Sequence, residues 1–209
     1  MFFEPKKGHD LPHNPIAACV SPRPIGWIST LSKSGIGNLA PFSYFNLVHN
    51  HPPTVMFACN GLKADGTAKD SWTNAEETGE FVYNVAAWKL REHINLTSTS
   101  FDAEVDELAE YGLTPRPSKI VKPVGVAESP IQFECKTTQI IHLESNSKEN
   151  PSTIVFGQVV GVHIDDECLV DGRVDYDKVM HISRLGYLDY AVIGERFFMP
   201  STYVKREQK

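Results

Sequence analysis

From Ser152 to Asp166 the chain reads STIVFGQVVGVHIDD. Ile154, Phe156, Val160, Val162 and Ile164 fall on one side of an extended backbone and alternate with the other side. That two-residue period predicts a half-buried β-strand. It has company. TVMFAC at 54–59 and EFVYNV at 80–85 read as short strands, and KPVGVAESPIQFECKTTQIIHLES as two more parted by a turn at Ser129-Pro130. Residues 17–31, AACVSPRPIGWISTL, look extended, with an edge or bulge at Pro22 and Pro24. SKSG at 32–35 supplies the turn that follows.

Helical signals are fewer. KDSWTNAEETG reads as a short helix, with Asp70 or Ser71 to cap its start and Gly79 to close it. AWKLREHINLTS at 87–98 and DAEVDELAEYG at 102–112, ended by Gly112, are two more. DECLVDG predicts a turn and return strand, and DYDKVMH a short helix. Many consecutive strands with a few inserted helices predict a mainly β fold, an antiparallel β-barrel rather than a βαβ sheet. No internal repeat and no late linker interrupts the chain, so residues 1–209 are expected to form a single domain.

The charge balance narrows the partners. Twenty Lys and Arg stand against 26 Asp and Glu, a net of −6. Nucleic acid and anionic membranes require a basic surface, so neither is expected as a partner. No apolar run approaches the roughly 18 residues of a membrane span. The opening MFFEPKKGHD lacks the pattern of a secretory signal. The four cysteines form no CxxC pair and read as reduced core residues, which points to a cytoplasmic protein.

Several motifs bear on chemistry. GIGNLA at 35–40 matches the GxGxxA spacing of a dinucleotide fingerprint, but a tight turn precedes it and Pro41 follows at once, so the strand-to-helix context is wrong. His49 and His51 could ligate a metal from a strand, yet HNHPP reads as a proline-bounded surface loop without a partner at zinc-like spacing. No GxSxG is present. The acids of FDAEVDELAE read as a solvated helix face. Lys69-Asp70-Ser71 opens a helix, where free N–H groups and the helix dipole favour an anion. These residues form either a phosphate cradle, with Asn74 one turn on, or an ordinary cap beside a surface lysine. NLAPFSYFN at 38–46 combines Pro41, Ser43 and Asn46 with three aromatic rings. It suits the edge of a flat heteroaromatic ligand, with Phe42 as an apolar wall and Ser29 and Thr30 pointing to the same place. It equally suits a bulged edge strand with aromatics in the core.

Taken together, SPRPIGWISTLSKSGIGNLAPFSYFN, PPTVMF, KDSWTNAEETGEFVYNV, the STIVFGQVVGVHIDD strand and RLGYLDY resemble the flavin reductase-like family with the FMN-binding split-barrel fold. The similarity covers most of residues 15–195 and is strongest to the branch named for the reductase component of nitrilotriacetate monooxygenase. It implies FMN, or FAD, as cofactor. By the same resemblance Trp27, Ser29 and Thr30 approach the flavin from the first barrel strand, and Pro41, Phe42, Ser43 and Asn46 meet the isoalloxazine edge. Lys69, Asp70 and Ser71 hold the phosphate with Asn74 nearby, Arg23 is a further basic candidate, and Arg184 matches a late position near the flavin. The resemblance further implies a homodimer, hydride transfer from NADH or NADPH to flavin N5, and a monooxygenase or free flavin as electron recipient. Flavin and nicotinamide carry the reacting atoms, so no catalytic side chain is assigned. The segment 86–120 is longer than the family pattern and is expected to cover the site. The alternatives are a flavin electron carrier without efficient NAD(P)H use and a non-enzymatic interaction barrel.

Overall fold

The computed structural model describes residues 1–148 and 150–200. Seven antiparallel strands make the body: β1 (Gly26–Leu31), β2 (Gly37–Phe42), β3 (Phe45–Asn50), β4 (Pro53–Asn60), β5 (Glu80–Val85), β6 (Ile131–Leu143) and β7 (Ser152–Ile164). Their order across the sheet is β2-β1-β5-β6-β7-β4-β3. The two edge strands, β2 and β3, are consecutive in the chain and separated only by Ser43 and Tyr44. The sheet therefore curls until its edges meet at that corner, where the Ala58 N–H donates to the Tyr44 carbonyl at 2.8 Å. The edges do not pair further, and the barrel stays split.

The interior explains which side of each strand faces in. Rings from neighbouring strands fill it: Phe57 packs against Phe42 and Phe81, and Phe45 stacks on Tyr83 with centroids 4.4 Å apart. Little volume remains for β7, which turns Thr153, Val155, Gly157 and Val159 inward. This reverses the expected face, because Ile154 and Phe156 are only half-buried. A bulge between Val159 and Gly161 then shifts the pairing with β6, so the even-numbered positions do not share one side along the strand. Ile164, beyond the bulge, packs onto the barrel core. Two glycines are fixed by close approach: a Cβ at Gly157 would lie 2.3 Å from the Phe81 ring, and one at Gly26 would lie 2.4 Å from the Phe45 ring.

A second core lies outside the barrel. Trp27 and Leu39 on the outer side of β1 and β2 pack with Leu90, Ile94, Leu108 and Leu113 of the long middle segment. That segment carries a 3-10 turn, Trp88–Leu90, then α2 (Arg91–Leu96) and the single turn α3 (Glu107–Glu110). The helices expected at 87–98 and 102–112 are thus shorter than the sequence pattern suggests. Helix α1 (Asp70–Thr78) matches expectation and ends at Gly79, in the left-handed region at φ 72°. The stretch expected to be extended from residue 17 begins instead with a helical turn, Ile16–Cys19. Arg23–Pro24 then joins Ile182–Arg184 and Tyr190–Val192 in a small separate sheet. Cys59, Cys135 and Cys168 are buried and free; Cys19 is free but exposed. Among the described residues, no helix is long and apolar enough to cross a membrane.

Candidate functional site

The start of α1 is organised differently from a capped helix. Lys69 occupies the N-cap and its side chain makes no capping hydrogen bond. Asp70, an expected cap, pairs instead with Lys63, whose Nζ lies 3.1 Å from both carboxylate oxygens. Ser71, the other expected cap, accepts from Asn38 Nδ2 at 2.8 Å. The N–H groups of Trp72 and Thr73 turn back to the Lys69 carbonyl. Those of Asp70 and Ser71 have no partner among the described residues. Lys69 makes no ion pair among them either. Two free donors, a helix dipole and an unneutralised ammonium converge here, which is the chemistry of an anion site.

A groove runs from this point along the free edge of β2. Its first part is lined by Asn38, Ala40, Pro41 and Phe42 of β2, by Lys63, Lys69, Asp70 and Ser71, and by Thr97–Phe101 and Glu107 opposite. Its second part is lined by Arg23, Ser43, Tyr44, Arg184, Tyr187 and Tyr190. Pro41 and Ser98 belong to both parts, so the two adjoin at these residues. Pro41 sits in regular register opposite Trp27, not in an irregular peptide. The Leu39 N–H points out of the sheet, since it donates to Glu107 Oε2 at 2.9 Å. Pro41, two residues on, has the same orientation, and its missing N–H removes a donor only from the open edge.

The expected site residues divide into two groups. Pro41, Phe42, Lys69, Asp70 and Ser71 line the first part of the groove, and Arg23, Pro41, Ser43 and Arg184 the second. Trp27, Ser29, Thr30 and Asn74 lie behind the wall. The Trp27 indole N–H donates to Thr97 Oγ1 at 2.9 Å. Ser29 donates to the Val124 carbonyl at 2.6 Å, and Asn74 Nδ2 donates to Thr30 Oγ1 at 3.1 Å. These four brace the strands, the middle segment and α1 against one another. Asn46 stands apart on exposed β3, its Oδ1 accepting from the Leu47 N–H at 2.9 Å. Arg23 is committed to the Ala17 and Val20 carbonyls, with its guanidinium 5.7 Å from the Tyr44 ring centre. Arg184 donates to the Tyr187 carbonyl and lies over the Tyr190 ring.

Lys63, Thr97–Phe101, Glu107, Tyr187 and Tyr190 are among the groove residues that sequence reading did not assign to the site. The acids of 102–112 are not one solvated face: Glu107 is buried, at 4% exposure, beside Leu108. Asp106 caps this short turn, accepting from the Leu108 and Ala109 N–H groups, which leaves Glu107 directed at β2. Burial pushes the Glu107 carboxyl up to about 7, against the lowering effect of the Leu39 and Glu107 N–H groups. Asp70 and Asp106 raise it further. The capping residue Asp106 is the only local signal of this arrangement.

Residues 19–181 match the family model of the flavin reductase like domain. The chain belongs to that family. A relative from Aquifex aeolicus (strain VF5) is 37% identical over 172 residues, 82% of this chain and 84% of its own length. Among solved structures, nitrilotriacetate monooxygenase component B of Bacillus cereus superposes with a TM-score of 0.86 at 28% identity, covering 95% of this chain and 98% of that one. The 2-nitrobenzoate 2-nitroreductase of Pseudomonas fluorescens gives 0.75 at 27% identity, with 91% of each chain covered. The expected split barrel is thus the fold of this family, and membership supports flavin oxidoreductase chemistry at family level.

Proposed function

We propose that this protein is an FMN-binding, NAD(P)H-dependent flavin reductase whose cofactor lies along the β2 edge. The observation that carries the reading is adjacency: the recess with anion-site chemistry at Lys69 and the α1 N-terminus adjoins, through Pro41 and Ser98, a second recess lined by Ser43 and Tyr44. The donor set fits the group. Two free N–H groups and an ammonium match a phosphate ester, and of the two acids beside them, Asp70 and Glu107, Asp70 is already neutralised by Lys63. Pro41 and Phe42 offer apolar surface to a ring face, while the free edge of β2 offers backbone groups to a polar rim.

Bound FMN supplies the hydride-accepting chemistry, with NADH or NADPH as donor. The chain has to bind, orient and shield. Lys69 and the α1 donors anchor the phosphate, Pro41 and Ser43 orient the ring, and Thr97–Phe101 forms the opposite wall. Residues 86–120 therefore act as a side of the channel and keep part of it from water. The likeness to a monooxygenase component makes a monooxygenase a candidate recipient of the reduced flavin. Pairing of two chains belongs to the same reading, supported by the exposure of Leu188, Phe197 and Phe198 at 86%, 79% and 90%.

Anaerobic addition of NADH, then NADPH, to FMN-loaded protein tests the reading. Bleaching of the visible flavin band by at least one nucleotide is expected. Flavin that binds but resists both donors would leave an electron carrier, and protein that never binds flavin would leave a non-enzymatic barrel.

A further inference from the structure

The Lys69 end of the groove holds two carboxyl groups, and only one of them is neutralised. Asp70 is paired with Lys63. Glu107 has no cationic partner among the described residues: its Oε2 accepts from the Leu39 N–H, and the other donor beside the carboxyl is its own backbone N–H. The side chain is nevertheless buried and lines the same recess as Lys69 and Ser71. A carboxylate without a cationic partner beside an anion site is costly, since a second negative charge nearby disfavours its ionised form.

The surroundings set its charge. The charged groups facing Glu107 are Lys63 and Lys69 from the loop before α1, Asp70 from α1, and Asp106 from its own turn. Neither β2 nor Thr97–Phe101 adds a charge. Burial and the two aspartates already push the carboxyl up to about 7, so both its forms are populated near neutrality. A phosphate ester arriving at Lys69 adds negative charge and favours the neutral form. The neutral carboxyl keeps its bond to Leu39 through one oxygen and gains an O–H donor on the other.

We propose that Glu107 is a proton-holding ligand of the groove: it takes up a proton as the phosphate ester binds and donates that proton's hydrogen bond to it. Cofactor affinity is thereby tied to pH through a residue of the middle segment. The inference rests on the FMN reading given above.

The experiment measures FMN and riboflavin dissociation constants from pH 6 to 9 for the wild type and Glu107→Gln. Calorimetry of the wild type at pH 8, in two buffers of different ionisation enthalpy, counts protons directly. A phosphate monoester has its second pKa near 6, so its own titration is largely complete above neutrality. For the wild type, the FMN constant should rise toward tenfold per pH unit above neutrality, with close to one proton taken up at pH 8. Riboflavin should show neither effect. Glu107→Gln, which mimics the protonated acid, should bind FMN at pH 9 at least tenfold more tightly than the wild type, with a flat profile. FMN binding with the same pH profile in both proteins and no proton uptake would overturn the inference while leaving the cofactor assignment standing. No FMN binding by either protein would overturn both.

Discussion

The indole N–H of Trp27 meets the hydroxyl of Thr97 at 2.9 Å, joining two residues 70 positions apart. The Thr97 hydroxyl donates in turn to the His93 carbonyl at 2.9 Å, so it serves as acceptor and donor at once. Both side chains are fully buried. This contact fastens the Thr97–Phe101 wall to the first barrel strand. Thr97→Val keeps the shape but strands a buried N–H, which should cost about 1–3 kcal/mol. FMN release should quicken several-fold, while Thr97→Ser stays near wild type. Denaturant unfolding and stopped-flow release check it. Equal behaviour of the two variants would show that the bond does not hold the wall.

Two glycines separate barrel packing from groove geometry. Alanine at Gly26 pushes on Phe45, which follows directly on the Ser43-Tyr44 corner; alanine at Gly157 pushes on Phe81 deep in the barrel. Each should cost about 1–3 kcal/mol as an overpacked core. Only Gly26→Ala should also weaken FMN, because only it moves the corner. Comparable loss of FMN affinity in both variants would contradict this.

How much of this was legible beforehand follows from what is local. Helix α1 and its Gly79 terminator depend on neighbouring residues, and both were readable. The barrel class followed from the succession of strands. The inward face of β7 was not, because Phe57 and Phe81 on other strands occupy the space that Ile154 and Phe156 were expected to fill. The corner at residues 43 and 44 looks irregular in sequence; it is two regular strands whose separation into opposite edges depends on distant pairing. Glu107 escaped for the same reason. Asp106 marks a capped turn, but nothing beside Glu107 in the chain says that its carboxyl will meet the Leu39 N–H.

Glu134 predicts an acid limit to stability. Its carboxylate accepts from the Lys119, Ile120 and Val121 N–H groups at 2.8, 2.6 and 3.1 Å, and from His163 at 2.6 Å. Burial works to raise its pKa, but these bonds outweigh it and hold the group below its usual 4.5. A lowered folded pKa stabilises above the unfolded value and is lost as pH falls through the folded one. Urea unfolding from pH 7 to 3 should therefore show declining stability below about pH 4.5, and Glu134→Gln should flatten part of that slope. Glu134→Ala, which orphans three N–H groups, should cost about 3–5 kcal/mol at neutral pH. An unchanged acid slope in Glu134→Gln would assign it to other carboxylates.

Glu107 has the opposite sign. Its folded pKa lies above the unfolded value, so its contribution is full below pH 4.5 and is lost as pH rises through about 7. In the flavin-free protein, Glu107→Gln should thus gain stability relative to wild type at pH 8 but not at pH 4. The gain should be at most roughly 3 kcal/mol. Thermal unfolding at the two pH values measures it, and an equal difference at both would contradict the burial of an ionisable carboxyl there.

The most direct test of the cofactor's placement is the Lys69→Ala variant, titrated with FMN and with riboflavin by fluorescence quenching. Lys69 is the unneutralised cation at the α1 N-terminus, and only FMN carries the phosphate that it is held to meet. The account predicts that FMN binding weakens at least tenfold while riboflavin binding is unchanged. Equal losses for both ligands, or no loss for either, would contradict it.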